Sequence, residues 1–308
     1  MKKLRHIKTL VLLLLPLLAA VLFICSIEPT AQFKFNYLKN NCSSQSLWIY
    51  KKLYLDTSVI DGAFFGSSHT LQGINDSVMP NAANFGYCRF GRDIQYTLFK
   101  EVLSRKKIKK AFFEITETEP SYSHPDYPFT GNSEDIFLPS SIYNQSFLTN
   151  RYQAFLFRLA YLRSLLFKNE ITPEVATKNF GYIEQDGFAD SAFLESEKKA
   201  KLADQEGYDA QSILRKAELS FSSFYITKIK KLAQENNCKA FFIYLPAYGN
   251  TVKNSLDSAF YKPFLETLIP PDSILNNPSN WQDGAHLNHL GSYKICNWLT
   301  KTNFTPSK

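Results

Sequence analysis

Two short stretches hold residue types that could carry out covalent chemistry together. Residues 64–70 read FFGSSHT, and residues 283–291 read DGAHLNHLG. In the first, two serines sit in a turn of small residues directly after an apolar run, which leaves a substrate room to approach a hydroxyl. A serine hydroxyl becomes a nucleophile toward an acyl carbon only when a base takes its proton. That base works best when a carboxylate fixes its tautomer and stabilises the imidazolium. In the second stretch Asp283 and His286 are three residues apart on a loop, so acid and base can meet locally. The chain has five histidines. His6 lies in the basic N-terminus and His124 in a Pro-rich stretch, which leaves His69, His286 and His289 near the chemistry. Each has a plainer reading: Ser68 as a turn residue, His286 as a capping or core histidine, His69 on a surface turn, His289 in the first turn of a helix.

These residues need a scaffold, and the pattern around them predicts one. VIDGAFF, MPNAANF, KKAFFEIT and CKAFFIYLP (238–246) are short, nearly continuous apolar runs. Strands covered on both faces by helices have this look. IQYTLFKEVLSRK from Ile94 has apolar residues at helical spacing, and SSFYITKIKKLAQENN reads as the helix before the fourth strand. Strands alternating with helices predict an α/β protein with a mostly parallel sheet. Ligands of such sheets sit beyond the carboxyl ends of the strands, where Ser67 and Ser68 fall. Between the third and fourth strands, residues 117–218 read as an insertion that shapes a cleft or lid. It contains a Pro-, Ser- and Tyr-rich loop and a helix at 151–167. Arg92 and Asp93 read as a helix start rather than a substrate clamp. Asn288 reads as the cap of a last helix, with Tyr293, Ile295, Cys296 and Leu299 as its apolar positions. No internal repeat is visible.

The N-terminus is the most distinctive segment. Lys2, Lys3, Arg5 and Lys8 precede 18 uncharged residues, Thr9–Ser26. At ~1.5 Å per residue these extend about 27 Å, close to the ~30 Å of a bilayer core. The basic flank then stays cytoplasmic and the rest of the chain lies outside. A cleaved signal peptide is the competing reading, but IEPTAQF offers no small-x-small site. The expected organisation is a tail at 1–8, a transmembrane signal-anchor at 9–26, a stalk or packing segment at 27–55, and a domain at 56–308. Formal net charge is +7, yet beyond those four residues 31 basic side chains face 28 acidic ones, too even a balance for a nucleic-acid partner. Of the five cysteines, Cys42, Cys88, Cys238 and Cys296 fall in the exported part, where disulfides are allowed. Their spacing matches no zinc pattern, so no metal and no cofactor is expected.

GSSHT after the first strand, NFGY after the second and DGAHLNHLG near the end resemble the motif blocks of the SGNH (GDSL-type) hydrolase superfamily. The resemblance covers about residues 58–116 and 238–300. It implies a three-layer α/β/α, flavodoxin-like parallel sheet; the helical insertion and the one N-terminal transmembrane helix lie outside the resemblance. Gly66, Ser67 and Ser68 match the family's Gly-Asp-Ser, which makes Ser68 the nucleophile, His286 the base and Asp283 the orienting acid. Backbone N–H groups of Ser68 and Gly86 would form the oxyanion hole. The chain departs from the family after the third strand, where FFEITETEP lacks the usual oxyanion-hole Asn and Thr116 is the nearest substitute. His69 would line the pocket. Anchor, GSS turn, missing Asn and terminal Asp-x-x-His together resemble the membrane-tethered envelope branch, which serves D-alanine transfer and polysaccharide O-acetylation. That implies an extracytoplasmic O-acyltransferase or esterase acting on a cell-surface glycan or polymer, with a membrane acyl-donor protein as partner. The alternative is a catalytically weak scaffold or assembly partner of an envelope-modification or export system.

Overall fold

The computed structural model describes residues 2–27, 29–30, 33, 44–87, 91–119, 145–167, 180–209, 212–249 and 255–303. The Tyr-rich stretch 121–143, His124, Cys42 and Cys88 lie outside them. The elements, in chain order, are α1 (Lys2–Ser26), α2 (Ser44–Tyr54), β1 (Gly62–Phe65), α3 (Ser68–Gly73), β2 (Ala82–Asn84), α4 (Arg92–Arg105) and β3 (Lys110–Ile115). They continue with α5 (Gln145–Phe167), α6 (Ser191–Glu206), α7 (Ile213–Glu235), β4 (Lys239–Tyr244), α8 (Ser258–Tyr261), β5 (Glu266–Leu268), α9 (Asp272–Leu275) and α10 (His289–Asn303). The protein is α/β, and its five strands form one all-parallel sheet in the order β2-β1-β3-β4-β5. The order reverses between β1 and β3, which opens a crevice beyond their carboxyl ends.

An Ala-Phe-Phe triplet recurs in β1, β3 and β4, and the parallel register sets the three copies side by side. Phe64 pairs with Phe112 and Phe65 with Phe113, while Phe112 pairs with Phe241 and Phe113 with Phe242. Alternation along each strand sends the first Phe to one face and the second to the other. Phe64, Phe112 and Phe241 stack at 4.6 and 5.4 Å between ring centroids. They share a buried cluster with Leu194 of α6, Ile274 and Leu275 of α9, and Ile295 and Leu299 of α10. On the opposite face Phe65 stacks on Phe113 at 5.1 Å, and the edge of Phe99 meets the Phe113 ring at 5.2 Å. Trp48 and Ile49 of α2 and Tyr225 and Ile229 of α7 complete that second cluster. Helices therefore cover both faces, which is why the strands are apolar throughout.

Several boundaries differ from the sequence expectation. Residues 44–54 are a helix whose Trp48, Ile49 and Leu53 are buried in the main core, so this part of 27–55 packs on the domain. The fifth strand, Glu266–Leu268, went unpredicted because three residues on a sheet edge leave no periodicity to read. The insertion's expected end at 218 falls inside the continuous helix α7. In α10, Asn288 Oδ1 accepts from the N–H groups of Leu290 and Gly291, and Ile295, Cys296 and Leu299 are buried. Tyr293, expected among the apolar positions, points outward. Cys238 and Cys296 are free, buried thiols, each pushed up to about 12 by desolvation, so neither forms a disulfide here.

Among the described residues no helix is long and apolar enough to cross a membrane. α1 contains Pro16 and leaves Leu12, Leu14, Leu15, Leu17, Leu18, Leu22 and Phe23 exposed. Its end meets α5, where Arg158 Nε donates to the Ile27 carbonyl at 3.1 Å. Phe33 packs against Phe157 and Tyr161 of α5.

Phe113 touches aromatic rings on its own strand layer and on α4, so truncating it opens a cavity that the packed sheet cannot close. Phe113→Ala should cost about 3–5 kcal/mol. The midpoint of a chemical denaturation curve measures this directly.

Candidate active site

β1 ends at Phe65, and the chain turns through Gly66 and Ser67 into the short helix α3. Ser67 is the cap of α3, its hydroxyl oxygen accepting from the His69 N–H at 3.3 Å. Ser68 is the first helical residue. On the other side of the crevice, the loop before α10 folds on itself: Asp283 Oδ1 accepts from the backbone N–H groups of Ala285 (2.7 Å) and His286 (2.8 Å). Those bonds turn the His286 ring back over its own acid. His286 Nδ1 lies 3.1 and 3.0 Å from the two Asp283 oxygens, and Nε2 lies 2.9 Å from Ser68 Oγ. Three side chains from opposite ends of the sequence thus form one hydrogen-bonded line.

Two neighbouring interactions decide which serine can react. The Ser67 hydroxyl donates to Glu114 Oε1 at 2.5 Å, so its proton is held on the side of the sheet. Only the Ser68 hydroxyl meets a base. The electrostatics of the line are equally directional. Partial burial would raise the Asp283 carboxyl, but hydrogen bonds from the His286 ring and from the Ala285 and His286 N–H groups outweigh it. The carboxyl settles at about 2, against an ordinary 3.8. An acid so held stays ionised and keeps its negative charge facing the imidazole.

The remaining expected site residues fall out as follows. The Ser68 N–H has no hydrogen-bond partner among the described residues. The Gly86 N–H, expected as the second oxyanion donor, donates instead to Asn84 Oδ1 at 2.8 Å. Gly86 lies so close to α3 that an added Cβ would be 2.6 Å from the Leu71 nitrogen. Its glycine therefore serves backbone packing under the turn. Thr116 Oγ1 donates to the Thr118 carbonyl at 3.0 Å and lines a cleft of about 300 Å³ beside the site. His69 lines the same cleft, 5.5 Å from the His286 ring between centroids. Glu117, Lys201, Asp204 and Tyr208 also line it, so residues from the expected insertion form part of the cleft's wall. Lys201 Nζ donates to the Gly284 carbonyl, tying α6 to the Asp283 loop. His289 stands apart: its backbone N–H meets the Gln185 carbonyl and its ring meets the edge of Phe188. Arg92 starts α4 and is buried in a two-bond pair with Glu119, each contact 2.7 Å.

Three buried polar side chains that hold the site were not singled out from sequence. Asn84 donates to the Thr70 and Ile74 carbonyls at 2.8 and 2.6 Å, clamping α3 from below. Asp76 accepts from the N–H groups of Asn84, Gly181 and Tyr182, docking the part of the insertion that precedes α6 onto β2. Glu114, on β3, accepts from both Ser67 and Thr70. The available signal is a lone acid in an otherwise apolar strand, FFEIT, and an amide inside the short apolar run AANF. No protein-family model matches the chain, and neither does any of the curated proteins searched.

The depressed Asp283 carboxyl contributes stability that is fully present above about pH 4 and disappears as pH falls through about 2. Asp283→Asn should lower the melting temperature near pH 6, and the loss should shrink steadily as pH falls from about 4 through about 2. Thermal melts of both chains across that range test the difference.

Proposed function

We propose that the chain is a membrane-tethered serine acyl-transfer or ester-hydrolysis protein of the SGNH type, working outside the cytoplasm on a cell-envelope glycan or polymer. The observation that carries this reading is the line Ser68 Oγ–His286 Nε2 at 2.9 Å with His286 Nδ1 on Asp283. In it, Ser68 Oγ attacks an ester carbonyl carbon while His286 Nε2 takes the serine proton. Collapse of the tetrahedral species breaks the ester bond, and the same proton passes to the departing alkoxide. A sugar hydroxyl or water then attacks the acyl-serine: His286 takes the acceptor's proton, the acyl–Oγ bond breaks, and the proton returns to Ser68 Oγ. The Ser68 N–H is the donor available for the oxyanion.

Other features support parts of the reading. The strand order 2-1-3-4-5 is that of flavodoxin-like sheets, with the serine at the switch point. The cleft beside Ser68 offers hydroxyl, carboxylate, ammonium and phenol groups, a lining suited to a polyhydroxyl acceptor. The tether rests on the uncharged run Thr9–Ser26, on the exposed leucines of α1, and on Leu165, Leu166 and Phe167 exposed at the end of α5. A membrane acyl-donor protein would deliver the group at that surface. One observation favours the second reading, a scaffold with weak chemistry: the Gly86 N–H is engaged by Asn84, so the turn offers fewer oxyanion donors.

A fluorophosphonate probe decides between them. The full chain should be labelled at Ser68, with labelling abolished in Ser68→Ala and reduced about 10²–10⁴-fold in His286→Ala. An unlabelled wild-type chain that still supports envelope modification in Ser68→Ala form would establish the scaffold reading. The tether has its own check. The full chain should remain in the membrane pellet after an alkaline carbonate wash, and release into the supernatant would refute an anchor.

A further inference from the structure

We infer that Glu114 is a positioning residue for Ser68: its carboxylate, reaching from β3, fixes the turn that carries the nucleophile. This rests on the serine-nucleophile reading above and adds to it a residue that neither the motif blocks nor the Ser-His-Asp line contains. Four hydrogen bonds converge on this one buried carboxylate. Oε2 accepts from the Ser67 N–H at 2.9 Å, the Thr70 N–H at 2.8 Å and the Thr70 hydroxyl at 2.5 Å, and Oε1 accepts from the Ser67 hydroxyl at 2.5 Å. All four donors belong to the residues that flank Ser68 and His69, and among the described residues Glu114 has no other hydrogen-bond partner. A buried carboxylate is costly unless its lone pairs are satisfied. Here the whole set is supplied by the nucleophile turn, and the turn gains two fixed ends in return.

The register makes room for this contact. Phe65 pairs with Phe113, so Gly66 follows opposite Glu114. A Cβ on Gly66 would stand 2.5 Å from Glu114 Oε2, 2.6 Å from Glu114 Cβ and 2.0 Å from Thr70 Oγ1. The bare Gly66 backbone is therefore the gap through which the carboxylate reaches the turn. Once there it accepts the hydrogen bond of the Ser67 hydroxyl and orients the Ser67 oxygen toward the His69 N–H. Ser67 is thereby removed from competition for His286. Backbone torsions at 67–70 set where Ser68 Oγ lies, and a nucleophile misplaced by an ångström loses about 10²-fold in rate. A loosened turn slows attack and leaves probe binding in the cleft unaffected.

Fluorophosphonate inactivation of the full chain separates these two quantities. Ser68 Oγ attacks phosphorus, fluoride leaves and the serine proton passes to His286. The saturating rate therefore reports attack, and the half-saturating concentration reports binding. Glu114→Gln keeps the shape but replaces acceptor Oε2 or Oε1 with a donor NH₂. It should lower the saturating rate about 10- to 100-fold with half-saturation changed less than about twofold. Thr70→Val should lose rate in the same sense, and Thr70→Ser, which restores the hydroxyl, should recover it. Equal rates for a folded Glu114→Gln chain and the wild type, or a loss confined to half-saturation, overturn the inference. If Glu114→Gln does not fold, equal rates for Thr70→Val and Thr70→Ser overturn it. A wild-type chain that does not label refutes the serine chemistry instead. In that case imidazole ¹⁵N shifts of His286 still test Glu114: the Ser68–His286 hydrogen bond should be lost in Glu114→Gln or Thr70→Val, and its retention overturns the positioning role.

Discussion

The in-register alignment of three Ala-Phe-Phe strands is the constraint from which the rest of this structure follows. With Phe65 beside Phe113 and Phe113 beside Phe242, each strand presents one phenyl to each helical layer. A slip of one residue would send every side chain to the wrong face. The same alignment brings Gly66 level with Glu114, one step past the stacked rings. A crowded apolar ladder thus ends abruptly in a carboxylate, a bare glycine and a hydroxyl-rich turn. Aromatic stacking supplies the rigidity, and the polar step at its end uses it.

Beyond the ladder, buried polar groups collect parts of the chain that are remote in sequence. Asp76 binds the N–H groups of Asn84, Gly181 and Tyr182, so one carboxylate joins the turn after α3, the strand β2 and the part of the insertion that precedes α6. Desolvation raises the Asp76 carboxyl despite those bonds. Glu119 and Asp257 act likewise on the other flank. Arg92 and the Tyr261 hydroxyl meet the Glu119 carboxylate, and the Arg215 guanidinium and Tyr208 hydroxyl meet that of Asp257. Tyr208 also walls the cleft, so this network holds the insertion against the site. Buried charges of this kind specify an arrangement more than they stabilise it, because desolvation offsets most of their attraction.

How far the site was legible depended on how local its parts are. Asp283 and His286 could be read together because a three-residue loop spacing brings acid and base into contact in almost any context. The Ser67–Ser68 turn could be read because hydroxyls among small residues after an apolar run leave a substrate room to approach, and the match to the family's Gly-Asp-Ser singled out Ser68. Glu114 could not, since its two partner residues, Ser67 and Thr70, lie more than forty residues away and only sheet register brings them near. Gly86 was read as an oxyanion donor because its place in NFGY matches a motif. The side chain of Asn84, two residues earlier, captures its N–H, and no motif position reveals that. The helix α2 was hidden for a similar reason: its apolar residues Trp48, Ile49 and Leu53 are few, and their burial comes from packing against Phe85 and α4 rather than from a long amphipathic pattern.

The sequence by itself determined the α/β class, the positions of four strands and the pairing of a Ser-Ser turn with an Asp-x-x-His loop. Those are consequences of side-chain type and short-range spacing, which act along the chain. Only the tertiary structure decided which serine faces the base, which backbone N–H groups are already engaged and what lies beneath the nucleophile. Each of these depends on strand register and on helices packing across a sheet. Such contacts join residues tens to hundreds of positions apart, and their distances are set by strand register and helix packing, not by spacing along the chain.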